Sequence, residues 1–220
     1  MALKIWKIII IRSARHMKPN MYLKIKKKSD CVISLLALAL LSPILIIIML
    51  VIKLSSLHAP VFFKQKRVGE DGHLFYMYKF RTMHVDAEAQ LNYYLKQNEI
   101  EGAMFKLRND PRVTKFGRIL RKTSLDELPQ LWNVIKGNMA LVGPRPPLPR
   151  EVAEYTTHDK KRLSIIPGCT GLWQVSGRNE LSFQEMVELD LQYIQQVSFK
   201  LDAKIIGKTV LVILMPKGAY

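Results

Sequence analysis

Residues 31–52 read CVISLLALALLSPILIIIMLVI, an uninterrupted run of uncharged and mostly aliphatic positions. As an α-helix this run would be roughly 33 Å long, and the hydrocarbon core of a bilayer is about 30 Å thick. The run lies too far along the chain, and is too long, for a cleaved signal peptide. It therefore predicts a membrane helix, and hydropathy alone favours one that crosses the bilayer.

Two other features favour a re-entrant helix. Pro43, preceded by Ser42, lies within the run, where a proline removes a backbone N–H and clashes with the preceding turn. The Ser42 hydroxyl can serve a backbone group that this leaves free. Basic residues also flank both ends, whereas a spanning helix carries its basic bias on one side. We therefore expect a helix that breaks at Ser42 and Pro43 and returns to the same face. The flanking cations are Lys24, Lys26, Lys27 and Lys28 before the run, and Lys53, Lys64, Lys66 and Arg67 after it.

The charge balance points to polyanionic partners. The 220 residues include 34 Lys plus Arg against 18 Asp plus Glu, a net charge of +16. Such a surface attracts nucleic acid, nucleotide phosphates or anionic lipids. Cationic residues are concentrated just before the apolar run, which favours anionic membrane lipids. The two cysteines are far apart and the five histidines are scattered, so neither a disulfide scaffold nor a zinc site is expected.

The chain divides into three predicted segments. Residues 1–20 are an N-terminal extension, either an amphipathic stretch that lies on lipid or sequence foreign to the native protein. Residues 21–56 hold the basic segment and the membrane helix. Residues 57–220 form a soluble body with enough apolar residues for a core.

The body shows a hairpin pattern followed by helical patterns. Residues 61–63 and 74–80 predict two strands, with Gly69 and Gly72 in the turn between them. Residues 143–147 contain three prolines and predict a rigid extended loop. The predicted fold class is α+β and mainly helical, with a re-entrant membrane helix, a small β-hairpin and interfacial amphipathic helices. Helices are predicted at 86–98, 116–121, 127–136, 151–165 and 183–197, and at 201–215, which is too short to span and is either interfacial or core.

The segment 124–129, SLDELP, has two interpretations. Ser124 and Glu127 match a capping box, and Asp126 would favour the positive end of a helix. Alternatively, Asp126 and Glu127 are kept ionised by neighbouring cations. An ionised aspartate can attack phosphorus when a divalent cation and arginines neutralise an anionic diphosphate. In that interpretation Asp126 could share Mg²⁺ with the diphosphate.

Several cations are candidates for binding phosphate or nucleotide. Arg145 lies in the proline-rich loop, where it is either a rigidly mounted phosphate ligand or a solvated surface residue. Lys79 and Arg81 end a strand, where they either face a ligand or protect a sheet edge. Residues 168–179 are punctuated by glycines and include Arg178, a weak signal for a nucleotide-binding loop.

Taken together, these segments resemble the bacterial sugar transferase family, the small monotopic phosphoglycosyl transferases. The resemblance covers about residues 21–220, and its landmarks are Ser42-Pro43 and the ranges 78–83, 123–145 and 167–179. It implies a re-entrant helix, and a catalytic domain on the cytoplasmic face of the bacterial inner membrane.

The resemblance also implies a ping-pong reaction. Asp126 matches the family nucleophile, which attacks the β-phosphate of a UDP-sugar and expels UMP, and polyprenyl phosphate then attacks the phosphosugar-enzyme. Glu127 matches its dyad partner, and Asp126 is expected to contact Mg²⁺. The charged, phosphate-handling site of the family is matched by Lys79, Arg121, Arg145, Arg178 and Asp190.

The expected partners are therefore a UDP-sugar, polyprenyl (undecaprenyl) phosphate and anionic lipids. No nucleic acid is expected, because no recognition motif is present. The alternatives are a membrane-anchored basic module that binds nucleotides or nucleic acid, and a structural scaffold for exopolysaccharide or glycan assembly. The sequence does not reveal the sugar, which we expect to be glucose or galactose, nor whether the chain forms homo-oligomers.

Overall fold

The computed structural model describes residues 19–94, 107, 109–177 and 180–214. These residues are mainly helical and include two small sheets, which confirms the mainly helical α+β class with a small hairpin. The helices are α1 (Pro19–Ser55), α2 (Leu91–Tyr94), α3 (Lys115–Lys122), α4 (Gln130–Ile135), α5 (Pro149–Ala153), α6 (Thr157–Lys160), α7 (Phe183–Gln196) and α8 (Phe199–Leu214). The strands are β1 (Phe62–Val68), β2 (Leu74–Phe80), β3 (Ala140–Val142) and β4 (Gly168–Thr170). Single 3₁₀ turns lie at Glu70–Gly72, Leu125–Glu127, Lys161–Leu163 and Trp173–Val175.

Helix α1 continues through Pro43 instead of breaking there. Pro43 cannot donate the backbone hydrogen bond that the Ala39 carbonyl would otherwise accept. The Ser42 hydroxyl donates to that carbonyl at 2.8 Å, so the predicted role of Ser42 is confirmed. Because the hydroxyl replaces the missing donor, the predicted break at Ser42 and Pro43 is not an interruption of the helix.

The N-terminal part of α1 is fastened to the body by a buried polar network. Lys26 Nζ lies 2.5 Å from an Asp202 carboxylate oxygen of α8, and the Tyr22 hydroxyl donates to the same oxygen at 2.8 Å. Lys26 also pairs with Asp30 at 3.1 Å, and Asp30 accepts the backbone N–H of Leu141 in β3 at 3.0 Å. A buried pair of this kind is tolerated when its remaining polar groups are hydrogen-bonded. The network therefore fixes the start of α1 against both α8 and β3.

The C-terminal part of α1 packs on the hairpin, while the side chains in its middle are largely exposed. Ile48 and Ile52 are buried in one apolar cluster with Phe80 of β2. Between the two anchored parts, Leu40 is 80% exposed. Among the described residues, one helix, Met21–Ser55, is long and apolar enough to cross a membrane, and only 11% of its most apolar window is buried. Exposed aliphatic surface of this extent identifies a membrane-associated helix.

The predicted hairpin is confirmed, with a longer first strand than expected. β1 and β2 pair antiparallel from Phe62 opposite Phe80 to Val68 opposite Leu74. Gly72 in the connecting turn has φ of 83°, which a glycine adopts without steric cost. Since successive side chains of a strand point to opposite faces, β2 presents different residues to its two sides.

The second sheet was not predicted. β3 and β4 pair in parallel, with Ala140 opposite Gly168 and Val142 opposite Thr170. A Cβ atom on Gly168 would lie 2.0 Å from the backbone nitrogen of Gly143, so this approach requires glycine. The sheet joins the proline-rich loop to the glycine-rich segment, which the sequence analysis treats as separate loops.

Three predicted helices are found close to their expected positions. α3 and α7 match 116–121 and 183–197, and α8 begins slightly before the predicted 201–215. On α8, Phe199, Ile206 and Val210 are exposed on one side, which leaves an apolar face uncovered.

The other three helix predictions need correction. The predicted 127–136 helix begins only at Gln130, after a 3₁₀ turn. The predicted 86–98 helix is a turn followed by α2, and 95–98 lie outside the described residues. The predicted 151–165 helix is divided because Thr156 starts α6: its hydroxyl accepts the Asp159 N–H at 3.2 Å, and the Asp159 carboxylate accepts the Thr156 N–H at 2.9 Å.

Candidate active site

Two adjacent carboxylates lie on the 3₁₀ turn Leu125–Glu127, which precedes α4. Ser124 has a left-handed φ of 56° and makes no side-chain capping hydrogen bond. The capping-box interpretation of this segment is therefore wrong. Glu127 instead pairs with Lys79 of β2, with Nζ 2.5 Å from Oε1. Glu127 therefore makes a tertiary contact with β2 and does not cap a helix.

The two carboxylates differ in their electrostatics. Asp126 is 7% exposed, and burial raises its pKa to about 6, with Lys79 opposing the rise, Glu127 adding to it and Arg121 opposing it. Burial also disfavours the charged form of Glu127, but the attraction of Lys79 and then of Arg145 lowers its pKa below the usual range. Glu127 is therefore a fixed anion, whereas Asp126 is the carboxylate that changes charge closer to neutral pH.

A small polar cavity of about 30 Å³ lies beside Glu127, with room for about one water molecule. It brings together three residues that the sequence identified, Lys79, Glu127 and Arg145. Its other polar walls come from three side chains that the sequence analysis did not place there. These are Arg67, Gln130 and Gln174.

Arg67 is a site residue that the sequence analysis treated only as a flanking charge. It is 5% exposed, and it donates to the Pro146 carbonyl at 2.8 Å and to Gln65 Oε1 at 2.6 Å. Its Nε is buried without a hydrogen-bond partner, and burial followed by Arg145 lowers its pKa to about 9. Among the described residues no carboxylate forms an ion pair with it. A buried cation in this state is stabilised by a bound anion.

Arg121 approaches the carboxylates from α3. Its Nε donates to the Thr82 hydroxyl at 3.0 Å, just beyond the end of β2. This contact depends on Gly117, where a Cβ atom would lie 2.1 Å from the Thr82 carbonyl oxygen. The glycine lets α3 approach the strand closely enough for Arg121 to act electrostatically on Asp126.

A second cavity is apolar and about 350 Å³ in volume. Strand β2 separates it from the polar cavity, because Tyr78 lines it while the next residue, Lys79, lines the polar one. Pro129 and Gln130 divide between the two cavities in the same way. Its walls include Leu38, Leu45 and Met49 of α1, Tyr78 and Phe80 of β2, and Trp132 of α4.

Comparison with known protein families assigns the chain to one of them. The profile of the bacterial sugar transferases matches residues 21–216, nearly the whole chain. The chain belongs to the bacterial sugar transferase family. Membership supports the transferase interpretation over a basic binding module or a scaffold.

Several relatives of this chain are named for an activity or a pathway. It is 53% identical over 161 residues to the galactosyl transferase CpsE of Streptococcus agalactiae serotype III, covering 73% of this chain and 36% of the relative. It is 39% identical to the undecaprenyl-phosphate galactose phosphotransferase of Salmonella typhimurium, covering 97% and 45%. It is 40% identical to the exopolysaccharide production protein ExoY of Sinorhizobium fredii, covering 89% and 88%. The chain thus spans less than half the length of the first two of these relatives.

Among the described residues, four predicted site residues do not line the polar cavity: Asp126, Arg121, Arg81 and Asp190. Arg81 donates its Nε to the Pro60 carbonyl at 2.8 Å and does not line the cavity. Asp190 is 0% exposed and pairs with Arg162. Burial raises the pKa of Asp190 to about 6, opposed by Arg162. Arg178 lies outside the described residues.

The described residues contain no group of three or more His, Cys, Asp and Glu side chains that could enclose a metal ion. Mg²⁺ usually takes one or two protein carboxylates and completes its shell with phosphate oxygens and water. Asp126 and Glu127 fit a site in which Mg²⁺ binds one carboxylate together with phosphate oxygens and water. Asp126 would be that carboxylate, because Glu127 pairs with Lys79.

Proposed function

We propose that this chain transfers a hexose 1-phosphate from a UDP-sugar to polyprenyl phosphate, releasing UMP and starting exopolysaccharide or glycan assembly. The observation that carries the proposal is a carboxylate pair held among four cations, directly beside an apolar cavity. The Salmonella relative is named for galactose phosphate transfer to undecaprenyl phosphate. A Xanthomonas campestris relative, 36% identical, is named UDP-glucose:undecaprenyl-phosphate glucose-1-phosphate transferase. Galactose and glucose are therefore the first sugars to test.

In the first half-reaction, an Asp126 carboxylate oxygen attacks the β-phosphorus of the UDP-sugar. The bond from that phosphorus to the bridging oxygen breaks, and UMP leaves with the electron pair. Arg67, Lys79 and Arg145 neutralise the charge that develops on the diphosphate. Glu127 holds Lys79 in place through their ion pair.

In the second half-reaction, a phosphate oxygen of the lipid attacks the same phosphorus. The bond from Asp126 to phosphorus breaks, the carboxylate is regenerated, and the product is a polyprenyl diphosphate sugar. No net proton is gained or lost by the enzyme. Mg²⁺ bound by Asp126 together with substrate phosphates would supply further charge neutralisation.

We propose that the membrane helix is re-entrant, and that it bends at Ser42 and Pro43 while the Ser42 hydroxyl keeps it hydrogen-bonded there. The Cys31 thiol lies 3.9 Å from the Ile135 carbonyl oxygen, and Ile52 packs with Phe80, so both ends of the apolar run contact one body. If the helix crossed the bilayer, a body at one membrane surface would contact only one end of the apolar run. The exposed apolar face of α8 fits a helix lying in the interface. The body would then lie on the cytoplasmic face of the inner membrane.

Cysteine labelling tests this topology. Single cysteines at Lys28 and Ser55, in a chain lacking Cys31 and Cys169, should both react with an impermeant reagent only from the cytoplasmic side. Labelling of the two positions from opposite sides would show a spanning helix and contradict the proposal.

The chemical proposal is tested by trapping the intermediate. The full chain is incubated with a UDP-hexose labelled in the sugar, without acceptor, and then quenched in acid. We expect about one UMP released per active chain and a labelled adduct, sensitive to hydroxylamine, on the peptide that contains Asp126. Addition of polyprenyl phosphate should discharge the label into lipid. Release of UMP without any adduct would reject the covalent mechanism.

A further inference from the structure

The apolar cavity has no task in the donor half-reaction. A UDP-sugar carries a uracil, two sugars and two phosphates, and these polar groups would be desolvated without partners against aliphatic and aromatic walls. At about 350 Å³ the cavity is far larger than the polar one. Its walls are supplied jointly by the membrane helix and the hairpin, so it lies where lipid-exposed surface meets the site.

The apolar cavity lies near the turn that carries the carboxylate pair. Pro129 lines the cavity, and it follows Asp126 closely along the chain. Tyr78 forms another wall, and the neighbouring Lys79 is bonded to Glu127. An amphiphile whose apolar part occupies this cavity would reach the carboxylates by extending its head group past Pro129.

Two cations mark the rim of the cavity. Lys136 Nζ lies 5.3 Å from the Tyr78 ring centre and 5.7 Å from that of Trp132. Lys64, the cross-strand partner of Tyr78, has its Nζ 5.9 Å from the same ring centre. Apolar walls with a cationic rim complement an amphiphile that has an anionic head.

We infer that this cavity binds the isoprene units of the polyprenyl phosphate acceptor nearest to its phosphate, an inference that rests on the proposed function. An apolar cavity of roughly 150 Å³ holds a benzene ring, so this one holds about two or three five-carbon units. The remainder of the lipid lies outside it, against the exposed aliphatic face of α1. The enzyme would therefore recognise the isoprene units next to the phosphate and not the total length of the polyprenyl chain.

An acceptor series tests the length dependence. Geranyl, farnesyl and undecaprenyl phosphate are compared at matched surface concentration in detergent micelles. We expect kcat/KM to rise about tenfold or more from geranyl to farnesyl phosphate, as for groups added inside an apolar pocket. It should then stay within about twofold for undecaprenyl phosphate, because the added units bind outside the cavity. A steady rise over the whole series would overturn the inference.

A matched pair of substitutions tests the location. Leu38→Trp fills the cavity, whereas Leu40→Trp changes a leucine of the same helix that is 80% exposed and outside it. We expect Leu38→Trp to lower kcat/KM for farnesyl phosphate by about tenfold or more. UMP release in the absence of acceptor should be unchanged in both variants, which also shows that they are folded. Leu45→Trp provides a second obstruction from the next turns of α1.

The outcomes separate the two levels of the proposal. If the unmodified chain makes no lipid product with any acceptor, the proposed function fails. If it is active but Leu38→Trp and Leu45→Trp behave like Leu40→Trp, only the cavity assignment fails. A photoreactive farnesyl phosphate should label the cavity walls and be displaced by undecaprenyl phosphate. Displacement by phosphatidylglycerol alone would show a general lipid groove and overturn the assignment.

Discussion

The two cavities on either side of β2 differ in almost every physical property. One is about 30 Å³, polar and surrounded by Arg67, Lys79 and Arg145, whereas the other is about 350 Å³ and lined by aliphatic and aromatic groups. They are separated by a single step along the strand, from Lys79 to Tyr78. A reaction between a water-soluble donor and a lipid acceptor needs both environments at one reacting group. The alternation of a β-strand supplies them without a large binding cleft.

The largest effect is expected from Asp126→Asn, because an amide cannot form the acyl-phosphate bond. We expect UMP release and lipid product to fall by about 10³-fold or more, with membrane insertion unchanged. Glu188→Gln is a matched control, since Glu188 is an exposed carboxylate that pairs with His158, also exposed. Persistent UMP release by the asparagine variant would remove Asp126 from the mechanism.

Arg67→Met should weaken the polar cavity alone. Loss of one buried, charged hydrogen-bond donor to a phosphate costs about 1.5–3 kcal/mol, or about 10–100-fold in kcat/KM for the UDP-sugar. The KM for polyprenyl phosphate should change little. Lys66→Met, at the adjacent and exposed position of β1, is the control. Equal losses for the two variants would show that Arg67 has no special part in donor binding.

The polar side should also have an acid limb that the apolar side lacks. A protonated Asp126 cannot attack phosphorus, so kcat/KM for the UDP-sugar should fall as the pH is lowered through about 6. Lys79 favours the ionised form of Asp126, so Lys79→Met should move this limb to higher pH. Measurement of donor kcat/KM against pH for both proteins checks this. A limb that stays in place without Lys79 would contradict the electrostatic assignment.

The smallest effect is expected at the apolar rim. Lys136→Ala removes an exposed cation, worth about 0.5–1 kcal/mol, so the KM for polyprenyl phosphate should rise about two- to fivefold and less at high salt. Donor kcat/KM should stay constant. Lys160→Ala, an exposed lysine of α6, is the control and should leave both constants unaltered.

Local sequence patterns predicted much of the secondary structure. The apolar run, the hairpin, α3 and α7 follow from hydropathy and turn residues, and the capping alternative was needed only because SLDELP fits it so well. The sequence did not predict the tertiary contacts between distant segments. The strands β3 and β4 are too short to show a period, and their pairing depends on Gly143 and Gly168 meeting across more than twenty residues.

The site was predicted in part for the same reason. Lys79, Glu127 and Arg145 share the polar cavity, as the resemblance implied. Arg67 was missed because its role comes from a bond to the Pro146 carbonyl on a distant loop, which no spacing encodes. Asp190 matches the charged site of the family, but in the structure it is buried in a pair with Arg162 and does not line the polar cavity.

The polar network at the start of α1 has a consequence for anyone who wishes to handle this protein without its lipid-exposed helix. Excising residues 19–55 would leave the Asp202 carboxylate with the Tyr193 hydroxyl but without Lys26 and Tyr22. It would also expose the Phe80 side of the hairpin to water. Helix α1 is thus part of the folded core of the body. The protein should therefore be solubilised with detergents or lipids and not by truncation.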